Sequence, residues 1–216
     1  MITKAQGYRL ENEAITAVRS KLTAIERGML TWAVLDPGDK VLDMNLRDGL
    51  MLDCLARDLE CEICGISDQM ESVKHARACL QNADILYASP EDIPWRENSF
   101  DAVFLCSWKL EENDSEKALQ EALRVLKPGG QLLLGLIHYP APLRQMVSFF
   151  AKEGSERQQR SLQRKTEWLK RLKTAGYEEI TWQQVDLSNG VAIAWKEMNT
   201  GNEAQPANGD ETTKEN

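Results

Sequence analysis

Residues 90–135, which read PEDIPWRENSFDAVFLCSWKLEENDSEKALQEALRVLKPGGQLLLG, contain the strongest structural signals of the chain. Phe100–Cys106 is almost entirely apolar, as expected for a strand that is buried on both faces of a sheet. Ser115–Leu126 has apolar residues at three- and four-residue spacings, which predicts an amphipathic helix. Lys127–Gly130 is predicted to end that helix, and Gln131–Ile137 reads as the next strand. The stretch therefore predicts a strand, a helix and a second strand in succession.

The same alternation continues on the N-terminal side of this stretch. Three more apolar runs predict strands, and the segments between and before them have helical spacing. The strands are predicted at Lys40–Met44, Cys61–Ile66 and Asp84–Ala88, and the helices at about Asn12–Leu35, Gly49–Leu59 and Asp68–Asn82. Such an alternation implies right-handed crossovers and a parallel sheet.

The sequence on the C-terminal side of the quoted stretch has a different order of predicted elements. Helical patterns cover Ala141–Lys152 and Gln158–Ala175, and two strands follow at about Glu178–Val185 and Val191–Trp195. The few residues between these last strands are typical of a hairpin, so we expect the two strands to be antiparallel.

The length of 216 residues fits one domain with a terminal extension. We predict an N-terminal arm and helix over residues 1–35, a main domain over residues 36–197 and a disordered tail over residues 198–216. The tail is polar and rich in Gly, Asn and Glu, a composition that cannot bury a core.

Charge and cysteine content narrow the functional classes. A net charge of −8 disfavours a general affinity for nucleic acid or anionic lipid. The basic residues between Arg157 and Lys173 are interpreted as a solvated helix face rather than an RNA surface. Five cysteines without a secretory signal or membrane-spanning run indicate reduced thiols and a cytoplasmic protein.

The quoted stretch closely resembles the middle of the type 11 methyltransferases, the family that includes the ubiquinone and menaquinone C-methyltransferases. The resemblance rests on the acidic pair Glu91-Asp92, the N-S-F-D motif at Asn98–Asp101 and R-V-L-K-P-G-G at Arg124–Gly130. Pro37–Asp43 matches the start of the family's first strand, and the resemblance extends over roughly residues 36–196. It implies an α/β, Rossmann-like class I methyltransferase fold. That fold has a seven-stranded, mostly parallel sheet with a C-terminal antiparallel hairpin and helices on both faces.

The resemblance also implies an activity. The family transfers the methyl group of S-adenosylmethionine, releasing S-adenosylhomocysteine, and the acceptor here is expected to be a small molecule. Because the cofactor is already activated, such an enzyme mainly binds, orients and excludes water. The sequence therefore assigns no dedicated catalytic residue. It leaves the oligomeric state open.

The family's glycine-rich turn after strand one, D-x-G-x-G-x-G, is altered in this chain. Asp43 and Gly49 are kept, but Asn45 and Arg47 replace the first two glycines. Asn45 is expected to preserve the turn, because Asn tolerates left-handed backbone. Arg47 would be strained if its φ were positive. Its guanidinium either pairs with the cofactor carboxylate or fills the pocket.

The remaining positions that the resemblance assigns to cofactor binding follow strands two, three and four. They are Gly65, Ile66, Ser67, Met70, Ser89, Glu91 and Cys106. Gly65 stands where the family has an acid that binds the ribose hydroxyls. Asp68 either reaches the ribose or is a charge in the first turn of the next helix, and Ser67 is expected to cap that helix.

Three further features of the sequence each have a structural as well as a functional interpretation. Cys61 and Cys64 form a C-x-x-C pair on a strand, where positions three apart face opposite ways, so we expect no metal site. His138 is either a base beside the substrate or a structural histidine. Trp108 either stacks on a substrate or covers the core.

Two other functions compete with an active methyltransferase. A non-catalytic binding or partner subunit is suggested by Asn45, Arg47 and Gly65. A nicotinamide-dependent dehydrogenase would need G-x-G-x-x-G and an acid after strand two, and the sequence has neither at these positions.

Overall fold

The computed structural model describes residues 21–107, 115–137 and 165–198 of the chain. These residues form seven strands and five helices. The strands are β1 Lys40–Asp43, β2 Glu62–Ser67, β3 Asp84–Tyr87, β4 Phe100–Cys106, β5 Leu126–Ile137, β6 Glu178–Gln184 and β7 Asn189–Trp195. The helices are α1 Ala24–Trp32, α2 Leu50–Leu59, α3 Met70–Cys79, α4 Ser115–Val125 and α5 Lys165–Ala175.

The seven strands form a single sheet in the order β3-β2-β1-β4-β5-β7-β6. Strands β1 to β5 are parallel, whereas β7 is antiparallel to both β5 and β6. The predicted parallel sheet with a C-terminal antiparallel hairpin is confirmed. The strand order reverses between β1 and β4, and a crevice suited to a ligand forms at such a point in open α/β sheets.

Helices cover both faces of the sheet, as predicted. One hydrophobic cluster includes Met29 of α1, Leu52 of α2 and Phe104 of β4. The other includes Leu119 of α4, Leu172 of α5 and Leu105 of β4. Successive residues of β4 therefore enter opposite clusters, which explains why this strand is apolar throughout.

The Arg124 side chain fastens the chain that precedes β4 to α4. Its guanidinium donates to the carbonyl oxygens of Ile93 at 2.9 Å and Trp95 at 2.8 Å. It also pairs with Glu121 at 2.7 Å, and the other side of that carboxylate accepts from the Ile93 backbone N–H at 2.9 Å. One arginine and one glutamate thus order a loop that has no secondary structure of its own.

Asp101 makes a second link within the same stretch. Its Oδ2 accepts from the Lys127 ammonium at 2.7 Å and from the Lys40 backbone N–H at 2.9 Å. The N-S-F-D and R-V-L-K-P-G-G motifs are therefore joined to each other and to the start of β1. The residues that carry the family resemblance stabilise the fold.

The predicted continuous helix over Asn12–Leu35 is wrong within its described part. Lys21 and Leu22 form a turn, and α1 begins only at Ala24. Thr23 caps α1 in a reciprocal capping box with Glu26. The apolar spacing runs across this boundary, so the periodicity could not reveal it.

The end of α4 also differs from the prediction. Lys127–Gly130 lies within β5 rather than between α4 and the strand. Phe100 pairs with Leu126, and Ala102 pairs with Gln131, so the intervening residues bulge out of the ladder.

Several predictions fall outside the described residues. They concern Trp108, His138, the Ala141–Lys152 helix, the arm before residue 21 and the tail after residue 198. No helix within the described ranges is long and apolar enough to cross a bilayer. The domain boundaries at residues 35/36 and 197/198 stay predictions.

Candidate functional site

A cavity of about 320 Å³ lies at the carboxyl ends of β1, β4 and β5, beneath the start of α1. Its volume is in the range of sites for small molecules. Four of the predicted residues line it, namely Asp43, Asn45, Arg47 and Cys106. The sequence did not identify other lining residues, among them Glu26 from α1, Met51 from α2, Ile137 from β5 and Asn189 from β7.

Asn45 links the two strands at which the sheet order reverses. Its side-chain Nδ2 donates to the Cys106 carbonyl at 3.0 Å, and its Oδ1 accepts from the Cys106 N–H at 2.9 Å. The Asn45 backbone N–H donates to Asp43 Oδ1 at 3.1 Å. All three residues are buried, so this arrangement forms a fixed polar floor for the cavity.

The tolerance of Asn for left-handed backbone is not used at Asn45, because its φ is not positive. Among the described non-glycine residues, φ is positive only at Glu60, Asn82, Asn98 and Glu179. The backbone directly after β1 instead stays hydrogen-bonded to the two neighbouring strands, β4 and β2. The Met44 N–H donates to the Phe104 carbonyl and the Leu46 N–H to the Ile66 carbonyl, each at 2.9 Å.

Arg47 is likewise unstrained, because its φ is not positive. Its guanidinium, with the side chain 44% exposed, lies 3.3 Å from Glu26 Oε2 and 3.0 Å from Asp48 Oδ2. Gly49 has a φ of +79° and is the N-cap of α2. Of positions 45, 47 and 49, only the last needs glycine for its backbone, and it is the position where glycine is kept.

Glu26 is an acidic wall residue that the sequence did not reveal as part of a site. Its side chain is 10% exposed, and its Oε2 accepts from the Thr23 N–H at 2.7 Å and the Thr23 hydroxyl at 2.9 Å. The T-x-x-E signal marks the capping box, but only the packing of α1 on β5 and β7 brings this carboxylate to the cavity.

Gly65 lies level with Asp43 in the sheet, inside β2. A Cβ at this position would lie 3.1 Å from the side-chain methyl carbons of both Leu52 and Ile85. The space that a side chain would enter is therefore apolar. In this chain the position provides no acid, and its surroundings do not favour one.

The other predicted positions lie at or just after the ends of β2 and β3 and do not line the cavity. Ile66 and Ser67 are buried, Met70 is exposed, and Ser89 Oγ accepts from the Glu91 N–H at 3.3 Å. The prediction that Ser67 caps α3 is wrong. Gln69 is the N-cap and makes no side-chain capping bond, while Ser67 Oγ accepts from the Gln69 N–H at 3.2 Å.

Asp68 is exposed and precedes the N-cap of α3, so the first-turn acid of that helix is Glu71 instead. The interpretation of Asp68 as a first-turn helix charge is therefore wrong. The alternative role of Asp68, a contact with the ribose of the cofactor, stays a prediction.

The two cysteines of the C-x-x-C pair point to opposite faces of the sheet. Cys61 and Cys64 belong to the two different hydrophobic clusters, and both are free thiols. Burial raises the pKa of Cys61 to about 11 and that of Cys64 to about 12, so both stay protonated at neutral pH. Within the described ranges, no group of three or more His, Cys, Asp and Glu side chains is placed to hold a metal ion.

Comparison with known proteins gives a family match across the middle of the chain. Residues 42–134 match the type 11 family model of a methyltransferase domain. The demethylmenaquinone methyltransferase of Renibacterium salmoninarum is 30% identical over 104 residues, which is 48% of this chain and 44% of that protein. The matched segments cover about a third to a half of the curated relatives.

Solved structures share the fold over most of the chain. A chain of the Haloferax volcanii complex between the Trm112 methyltransferase activator and a methyltransferase has a TM-score of 0.69 at 15% identity. That similarity covers 88% of this chain and 95% of the other. A Haemonchus contortus phosphoethanolamine N-methyltransferase, in complex with phosphomonomethylethanolamine and S-adenosylhomocysteine, has a TM-score of 0.63 at 13% identity, covering 81% and 52%. Residues 42–134 are therefore similar to a type 11 methyltransferase domain, and the described part of the chain has the fold of these solved methyltransferase structures.

Proposed function

We propose that this protein transfers the methyl group of S-adenosylmethionine to a small-molecule acceptor in the cytoplasm. The observation that carries the proposal is the cavity at the strand-order reversal, floored by Asp43 and Asn45 within the matched domain. In open α/β sheets this is the position at which ligands bind.

The residues present fit such a cofactor. S-adenosylmethionine supplies a methyl group that its positively charged sulfur already activates. The chain has to hold the donor in line with the acceptor and keep water away. Two buried acids, Asp43 and Glu26, line the cavity and can accept hydrogen bonds from an ammonium group.

We place the nucleoside end of the cofactor over the ends of β2 and β3. Ser67, Met70 and Ser89 lie at or just after the ends of these two strands, at the carboxyl edge of the parallel sheet. This placement keeps Gly65, Ile66 and Glu91 among the proposed contact positions.

The acceptor stays unassigned within the class of small molecules. The names of the two methyltransferases described above imply different acceptors, a demethylmenaquinone and a phosphoethanolamine. The Haloferax volcanii complex makes a protein partner a further possibility to test by co-purification.

Calorimetric titration with S-adenosylmethionine and S-adenosylhomocysteine tests the proposal. We expect saturable binding of both ligands by the full chain. Absence of heat with either ligand at millimolar concentration would reject the enzyme and leave the non-catalytic alternative. Arg47→Gly separates the two interpretations of the arginine, because binding that appears only in this variant would mean that Arg47 fills the pocket.

A further inference from the structure

We infer that Glu26 and Arg47 recognise the amino-acid end of the cofactor, and that this end, rather than the nucleoside, determines affinity. The inference rests on the proposed function and deepens it. It makes Arg47 a specificity residue for ligands with a free α-carboxylate.

Glu26 provides a buried acceptor that faces a cavity. Its side chain is 10% exposed, and every hydrogen bond that the described residues give its carboxylate ends on Oε2. Oε1 receives none from the described residues. A buried carboxylate oxygen is costly to leave without a donor, and the ammonium of an amino acid supplies one.

Arg47 provides the opposite charge at the rim of the same cavity. Within the described residues, its contacts with carboxylates both involve Nη2, which donates to Glu26 at 3.3 Å and lies 3.0 Å from Asp48 Oδ2. Its other N–H groups remain for a ligand carboxylate, which the planar guanidinium can bind in a fork. The ion pair with Glu26 holds the cation beside the buried anion, so the two side chains complement a zwitterion.

The carboxyl end of β2, residues 65–67, carries no corresponding charged residue for the nucleoside end. Position 65 is glycine, and a side chain there would point at Leu52 and Ile85. Asp68, the nearest acid along the chain, is exposed and lies outside the cavity lining. A ribose would therefore form fewer strong hydrogen bonds than the amino-acid group. Most of the binding affinity would then come from α1 and the loop after β1.

Titration of two ligands against matched variants tests this inference. S-adenosylhomocysteine has the amino-acid end, and 5′-methylthioadenosine keeps the nucleoside but lacks it. Arg47→Gln removes the charge, Arg47→Lys keeps the charge without the fork, and Glu26→Gln removes the anion while keeping a capping side chain. Arg57→Gln is the control, because Arg57 is an exposed arginine of α2 that pairs with Asp53 and does not line the cavity.

We expect Arg47→Gln to weaken S-adenosylhomocysteine binding about 10- to 100-fold, the range of a lost charge-assisted contact. Glu26→Gln should weaken it about 10-fold, and Arg47→Lys less than Arg47→Gln. Binding of 5′-methylthioadenosine should be weak in the parent chain and equal in Arg47→Gln and Arg57→Gln.

Two results would overturn the inference while leaving the proposed function intact. One is equal affinity of the parent chain for both ligands, and the other is no difference between Arg47→Gln and Arg57→Gln with S-adenosylhomocysteine. Failure of the parent chain to bind S-adenosylhomocysteine at all would instead overturn the proposed function, and the inference with it.

Discussion

The middle segment, residues 90–135, and the β1 loop, residues 44–49, lie on the same sheet but depend on their side chains in different ways. In the middle segment, the side chains of Arg124 and Asp101 bind backbone atoms of the loop before β4 and of β1, so we expect these residues to stabilise the fold. In the β1 loop, the backbone at Asn45 and Arg47 is ordinary, and glycine is required only at Gly49. The replacements at positions 45 and 47 therefore add side chains to the cavity lining without straining the backbone of the loop.

The largest expected change in stability comes from placing an acid at position 65 of β2, where the family resemblance implies one. Gly65→Asp should destabilise the protein by about 3–5 kcal/mol, because the carboxylate would enter apolar space between Leu52 and Ile85. Urea denaturation measures this change. Gly65→Ala is the matched control and should cost at most about 1 kcal/mol, because only flexible side-chain ends must shift. If Gly65→Asp is tolerated and strengthens cofactor binding, the ribose site is intact and our account of β2 is wrong.

The next effect tests the middle segment. Arg124→Ala should lower the free energy of unfolding by about 3 kcal/mol, because the carbonyl groups of Ile93 and Trp95 lose a charged donor. Arg57→Ala removes a surface ion pair and should cost less than about 0.5 kcal/mol in the same urea experiment. Equal costs for the two variants would show that Arg124 does not stabilise the loop.

A smaller loss is expected in the β1 loop. Asn45→Ala should cost about 2 kcal/mol, because the Cys106 N–H and carbonyl lose their side-chain partners. Gln81→Ala, at an exposed turn, should stay within about 0.5 kcal/mol. Thermal unfolding can compare the two variants. If Asn45→Ala costs no more than Gln81→Ala, the side chain of Asn45 does not join β1 to β4.

The smallest effect is a pH dependence in the middle segment. The hydrogen bond from Arg124 lowers the pKa of Glu121 below its ordinary value. Its stabilising contribution is therefore complete above the unfolded pKa and is lost as pH falls through the folded pKa. The partly exposed position limits this to about 1 kcal/mol or less. Unfolding free energies between about pH 6 and pH 3 should fall less steeply in Glu121→Gln than in the parent chain, and identical slopes would contradict the prediction.

Much of the fold was predictable from sequence, because the central strands such as β1, β2 and β4 are short apolar runs and helices such as α4 have a regular apolar stripe. The start of α1 was missed, because the apolar stripe continues across residues 21–23 and only the capping box of Thr23 and Glu26 marks where the helix begins. The bulge at Lys127–Gly130 was also missed, because the pairing of Phe100 with Leu126 depends on the neighbouring strand.

The candidate site was predictable only where its residues follow strand ends. Asp43 and Cys106 end two strands that lie side by side in the parallel sheet. The apolar runs that predict these strands therefore also predict the position of both residues. Glu26 reaches the cavity through the packing of α1 across β5 and β7, which no local pattern encodes. The role of Asn45 was misjudged because its side chain, and not its φ, makes the structural contribution.

The antiparallel direction of β7 has a consequence for experiment. Because β7 runs against β5, its first residue, Asn189, stands opposite Ile137 at the ligand edge of the sheet. The backbone N–H groups of Ser188 and Asn189 both donate to Asp186, within the turn that leads into this strand. Hydrogen–deuterium exchange at these two amides thus offers a built-in reporter of cavity occupancy. The turn is remote in sequence from every residue mutated above, and its deuterium uptake can be measured by mass spectrometry on the unmodified chain.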